Sequence, residues 1–256
     1  MPSEVGWLLR EAPPPVDATA RFLELYARPP RRSEARVLLV PGIFTRFYPA
    51  YLRRIRCALA GELIPIDTEG TLTENAAAIR DAVLRAPAPV VLLGQSKGPL
   101  DIHAALALHP EIVPRVRAFV SLQAPFGGTP LAADPQTSRL LRRLAPKSFF
   151  QMAYQQRRAF LRAVPPLPPV PTVALATSCA QAGFLLEKTR EYLATKYGAE
   201  SDGFVRTADE SIPGARLVTL RGLDHAALAL PWMRPRAPWE AGRVAQALVA
   251  LALQRA

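Results

Sequence analysis

The run Gly94-Gln95-Ser96-Lys97-Gly98 sets a serine midway between two glycines. It follows the apolar run 90–93, which reads as a strand, and precedes a segment of helical character. A serine on such a strand-to-helix turn stands at the positive end of the helix, and small residues two before and two after let strand and helix approach closely. A hydroxyl attacks a carbonyl carbon well only when a base takes its proton. The imidazoles on offer are His103, His109 and His225. The first two lie on the helix that Ser96 opens and cannot fold back onto its hydroxyl, so they read as structural. His225 follows the apolar run 216–220 through Arg221-Gly222-Leu223-Asp224, just past a strand's C-terminal edge, where open parallel sheets bind ligands. It is the expected general base.

A base of this kind needs a carboxylate to hold its tautomer. Asp202, in Ser201-Asp202-Gly203-Phe204-Val205, is the expected one, because it completes the chain order Ser, Asp, His. Asp209 and Glu210 are the alternatives; Asp224 adjoins His225 and is badly placed to orient its ring. Charge developing on an attacked oxygen needs donors aimed at it. The backbone N–H of Lys97 is one, and Val40-Pro41-Gly42-Ile43-Phe44 offers a second from Ile43, with Phe44 as the alternative.

These residues need a scaffold that brings strand ends together. Short β-rich apolar runs at 36–40, 63–66, 90–93, 116–122, 172–177 and 216–220 alternate with amphipathic stretches at about 48–60, 73–85, 98–108, 182–196 and 239–254. That alternation predicts an α/β domain, a mostly parallel central sheet with helices on both faces. Thr71 and Thr73 are candidate caps for the helix over 73–85, Thr71 with Glu74 as a capping box. After Ala124 the pattern changes, and residues 130–168 read as an inserted helical cap, with helices at 137–144 and 149–164, inside one domain spanning 1–256.

Half the residues are hydrophobic and 21% are charged, which excludes a disordered chain, a collagen and a disulfide scaffold. Cys57 and Cys179 are far apart, in no CxxC pair or Cys/His cluster, and are expected to be buried thiols. No metal or cofactor site is expected. The net charge of +11 favours anionic partners. Because the cations are scattered and no nucleic-acid module is recognisable, nucleic acid is not an expected partner. In the cap, Phe149, Phe150, Met152, Tyr154 and Phe160 alternate with Arg139, Arg142, Arg143, Lys147, Arg157, Arg158 and Arg162. Two readings follow: a lid whose basic face meets anionic membrane, or a helical pair packed on the sheet. The first ten residues lack a basic start and a long apolar run, and the uncharged stretch 163–186 is crowded with proline. Neither a secretory signal nor a membrane span is expected, and a cytoplasmic location is.

Leu39-Val40-Pro41-Gly42, Gly94-Gln95-Ser96-Lys97-Gly98, residues 124–132, Ser201-Asp202-Gly203-Phe204-Val205 and Leu223-Asp224-His225 together resemble the α/β-hydrolase superfamily, most of all bacterial lipases and esterases. The resemblance covers about residues 37–230. It implies the α/β-hydrolase fold, cleavage of carboxylic esters through an acyl-enzyme on Ser96, Asp202 as the acid, His225 as the base, and oxyanion donors at Ile43 and Lys97. An acyltransferase or thioesterase with the same three residues, and a binding protein on the same scaffold, are the alternatives. A small-molecule or lipid ester is the expected partner, with Phe44, Gln95, Phe126, Phe149 and Phe150 as candidate substrate-binding residues. The sequence departs from many lipases in having Pro41 where they have histidine. It departs again in carrying Lys97 after the serine, whose side chain has three options: an anionic ligand, an acidic partner, or solvent.

Overall fold

The computed structural model describes residues 4–29, 35–43, 45, 48, 50–133, 146–198, 200–230 and 238–254. Seven parallel strands form one sheet: β1 (Val16–Asp17), β2 (Arg36–Val40), β3 (Glu62–Leu63), β4 (Val90–Gln95), β5 (Val116–Leu122), β6 (Thr172–Ser178) and β7 (Arg216–Arg221), in the spatial order β1-β7-β6-β5-β4-β2-β3. The helices, in chain order, are α1 (Trp7–Glu11), α2 (Thr19–Ala27), α3 (Arg53–Leu59), α4 (Leu72–Arg85), α5 (Gly98–Leu108), α6 (Pro130–Ala133), α7 (Lys147–Phe150), α8 (Tyr154–Ala163), α9 (Phe184–Tyr197) and α10 (Ala241–Leu253).

Successive side chains on a strand point to opposite faces, so an apolar run feeds two cores at once. Val37, Leu39, Val91 and Leu93 pack with Phe22 of α2, Ile55 of α3 and Val244 and Leu248 of α10. Leu38, Val40 and Leu92 pack on the other face with Ile79 of α4, Ile102 of α5 and the cap residues Phe149, Met152, Tyr154 and Leu161. At the start of α4, Thr71 and Glu74 form the reciprocal capping box that their spacing predicts: the Glu74 N–H donates to the Thr71 hydroxyl and the Thr71 N–H to the Glu74 carboxylate.

Several expectations are corrected. The strand expected over 63–66 is only Glu62–Leu63, since Pro65 has no N–H to continue a ladder. The helix expected from about 48 starts at Arg53, because Ala50 and Leu52 sit at φ of 66° and 54°, outside helical backbone. The single cap helix over 149–164 is two, α7 and α8, parted where the Met152 carbonyl turns to accept the Thr129 N–H at 2.8 Å. The helix expected at 137–144 lies outside the described residues, as do Arg139, Arg142 and Arg143. Of the remaining cap cations, Arg157 is wholly buried, with its guanidinium over the rings of Phe126 and Phe160. Arg158 lies over Trp7 and pairs with Glu11 at 3.1 Å. Neither cysteine is fully buried: Cys57 is exposed and Cys179 half-buried. The N-terminal segment, for which the sequence offers no pattern, supplies β1 on the open edge of β7 and docks through Trp7, whose indole N–H donates to the Gly127 carbonyl at 2.7 Å. Among the described residues no helix is long and apolar enough to cross a membrane.

Candidate active site

Ser96 sits between the end of β4 and the start of α5 with φ of 59°, a left-handed conformation that costs a non-glycine residue strain. The surroundings enforce it: the Ser96 N–H donates to the Leu122 carbonyl at 2.9 Å, which ties the turn to β5. A Cβ at Gly94 would stand 2.6 Å from the Pro99 nitrogen, and one at Gly98 would stand 2.3 Å from the Val40 carbonyl oxygen. The two glycines are therefore required by close approach, as the motif predicts.

Three residues converge, two from the ends of β4 and β7 and one from the loop after α9. His225, after β7, has Nε2 2.9 Å from the Ser96 Oγ and Nδ1 2.6 Å from Oδ2 of Asp202. Asp202 is fully buried, and its Oδ1 accepts the N–H groups of Phe204 at 2.8 Å and Val205 at 2.7 Å. The His225 N–H donates to the Asp202 carbonyl at 2.8 Å, fixing the two loops against each other. An ionised carboxylate only accepts, so the hydrogen-bond pattern assigns the proton to Nδ1 and leaves Nε2 to accept from the serine hydroxyl. Such an arrangement can draw a proton from Ser96 while the carboxylate stabilises the imidazolium. The ring's hydrogen bonds go to Ser96 and Asp202, not to the other acids. Asp209 accepts from the Gly6 N–H and the Tyr154 hydroxyl, and burial raises it to about 6. Glu210 accepts from the Thr177 N–H, and Asp224 accepts from the Gly183 N–H at 2.8 Å.

The other imidazoles stay apart. His103 is buried in α5 with Nε2 2.8 Å from the Pro165 carbonyl, and desolvation lowers it to about 3, so it is neutral. His109 lies 3.6 Å from Glu111 at the far end of that helix. The N–H groups of Ile43 and Lys97 meet no acceptor among the described residues, and Ile43 lines the cavity beside Ser96. Of the three options for the Lys97 side chain, the structure takes the acidic partner: Nζ lies 2.8 and 2.9 Å from the two carboxylate oxygens of Asp101, both side chains buried, with the Asn75 amide donating to Asp101 at 3.2 Å.

A cavity of about 170 Å³ opens at Ser96, walled by Ile43, Tyr48, Tyr51, Gln95, Leu186, Phe204, Ala229 and Leu230. Of the candidate substrate-binding residues, Gln95 lines it. Phe126 does not: it packs against His103 in the core on the far side of α5. Phe149 meets Phe204 edge-on, with ring centroids 6.2 Å apart, and Phe150 packs edge-on to Phe149; neither lines the cavity. Phe44 lies outside the described residues. Sequence reasoning missed Phe204, although it stands two residues from Asp202, and its ring lies 4.8 Å from that of His225.

It also missed Tyr51, which braces the site. The Gly42 N–H donates to the Tyr51 hydroxyl at 3.1 Å, that hydroxyl donates to Oε1 of Gln95, and the Gln95 amide donates to the His225 carbonyl at 3.1 Å. Tyr51→Phe leaves both a buried N–H and an amide oxygen short of a partner, so a loss of about 1–3 kcal/mol is expected, read from the urea midpoint. An unchanged midpoint would show that the brace carries no weight.

No protein-family model matches the chain, and no curated protein matches its sequence. Solved structures do. A metagenomic carboxyl esterase superposes with a TM-score of 0.76 at 23% identity, over 88% of this chain and 79% of that one. A Bacillus licheniformis lipase in mature form gives 0.62 at 18% identity, over 80% and 93% of the two chains. A Staphylococcus hyicus lipase gives 0.62 at 10% identity, over 88% and 96%. At these identities the likeness is one of fold, and the fold is that of the α/β-hydrolases.

Proposed function

We propose that this α/β-hydrolase-fold chain is a serine esterase that cleaves carboxylic esters through an acyl-enzyme on Ser96. The hydrogen-bonded series Ser96, His225, Asp202 at the mouth of an apolar cavity carries the reading. His225 takes the serine proton as Oγ attacks the ester carbonyl, and it returns that proton to the departing alcohol. It then activates water to release the acid. Asp202 holds the ring, and the N–H groups of Ile43 and Lys97 stabilise the tetrahedral oxyanion.

The size of the cavity supports a short acyl group. At about 170 Å³ it falls below the roughly 300–1,000 Å³ of sites for drug-sized ligands. Its walls are mostly apolar. Butyryl esters are therefore expected to exceed dodecanoyl esters in kcat/KM by about tenfold or more; equal rates along the series would remove the size argument. The test of the function itself is the intact mass after exposure to a fluorophosphonate, followed by a panel of esters. One adduct, absent from Ser96→Ala, with turnover of an ester, is the expected result. No adduct on folded protein overturns the reading in favour of a binding protein, and product that changes with an added alcohol or amine points to acyl transfer.

A further inference from the structure

We propose that Glu210 is a positioning residue for the acid end of this site, a protonated carboxyl group that donates a hydrogen bond to Asp202 and so fixes the carboxylate that orients His225. The inference deepens the reading of Ser96, His225 and Asp202 given above and rests on it. Glu210 closes a 3₁₀ turn, Thr207–Glu210, and its side chain is fully buried. Its Oε2 accepts the Thr177 N–H of β6 at 2.5 Å. Its other oxygen, Oε1, is buried with no hydrogen-bond partner of its own. Yet carboxylate oxygens of Glu210 and Asp202 and a ring nitrogen of His225 all lie within 4.8 Å of one another.

Two buried carboxyl groups this close do not both ionise. Their partners decide which keeps the proton. Asp202 accepts three hydrogen bonds, from two backbone N–H groups and the His225 ring. Glu210 accepts one. The titratable groups that face it are His225, Asp202 and, from its own turn, Asp209; burial and the two acids push its carboxyl well above the usual range, and the Thr177 N–H pulls the other way. A proton on Oε1 turns the orphaned oxygen into a donor. Asp202 has room to accept it, because an ionised carboxylate offers about four lone-pair sites and three are taken. A hydrogen bond from an acid to a carboxylate is among the strong ones and adds a further restraint on the plane of Asp202.

The test compares wild type, Glu210→Gln and Glu210→Leu. Glutamine keeps both the acceptor for Thr177 and a donor toward Asp202, whereas leucine keeps neither. Expected for Glu210→Gln are kcat and KM within about threefold of wild type and an unshifted pH profile. Glu210→Leu is expected to lose about 10- to 100-fold in kcat at unchanged KM, the range seen when an outer partner of an oriented group is removed. An infrared difference spectrum, wild type minus Glu210→Gln at neutral pH, is expected to show the C=O band of a protonated carboxyl. That band needs no turnover and persists in a Ser96→Ala background, so it separates failure of this inference from failure of the esterase reading. Absence of the band, or wild-type kcat in a folded Glu210→Leu, overturns the proposal.

Discussion

Ser96→Ala is expected to lower ester hydrolysis by about 10⁴-fold or more while leaving the unfolding midpoint close to that of the parent. The size follows from what is removed. Without Oγ there is no acyl-enzyme, and any residual rate comes from water held near His225 and the two N–H donors. The fold should tolerate the change, because alanine meets the left-handed backbone at position 96 with the same Cβ that serine has, and the tie from its N–H to Leu122 remains. Asp202→Asn should approach the same loss, since an amide can offer its N–H to Nδ1 and favour the wrong tautomer. The measurement is kcat/KM on a butyryl ester beside a urea melt. Activity within tenfold of the parent would take Ser96 out of the chemistry.

The largest stability effect is expected at Lys97 and Asp101. Both side chains are buried, Lys97 at the N-cap of α5 next to Ser96 and Asp101 in its first turn, four residues on. Removing one charge strands the other in a medium that cannot solvate it, and breaking such a pair costs about 3–5 kcal/mol. Asp101→Ala should therefore lose about that much. Burial already pushes the Asp101 carboxyl up to about 7 against the pull of Lys97 and Asn75, so desolvation weighs heavily even in the intact pair. The double replacement Lys97→Met with Asp101→Leu removes both charges and keeps the volume, and it should be markedly less destabilising than Asp101→Ala. Urea melts of wild type, Lys97→Met, Asp101→Leu and the double replacement give the coupling directly. Additive losses would mean that the pair does not act as a unit.

Much of the sheet was legible because buried parallel strands have their own signature. Runs such as 90–93 and 116–122 are apolar on both faces, and glycines mark where the first of them turns into α5. Ser96 and His225 were legible for a related reason: each follows a recognisable strand, and strand ends in such a sheet share one edge; Asp202 was legible from the chain order Ser, Asp, His, although a helix parts it from β6. The Lys97–Asp101 pair was written in the sequence as an i, i+4 spacing on a helix, a signal that the charge of Lys97 hid, since charged side chains are ordinarily solvated. The cavity walls were not legible. Phe126 and Phe149 look like substrate contacts by composition, but which side of α5 they occupy depends on how the cap packs, and no local pattern encodes that. Tyr51 was hidden too, because it acts on Gln95, distant in sequence, across elements that tertiary packing alone brings together; Glu210 was visible, but as a substitute for Asp202 and not as its neighbour.

Both outer positions of the sheet, β1 and β3, are strands of two residues. Strands at an edge carry unpaired peptide groups that invite another chain to add on, and very short ones offer little to template against. Self-association by continuing this sheet from one copy into the next is thereby discouraged at either border. Cutting away the segment that carries β1 would uncover β7, a six-residue strand, and turn a guarded border into an adhesive one.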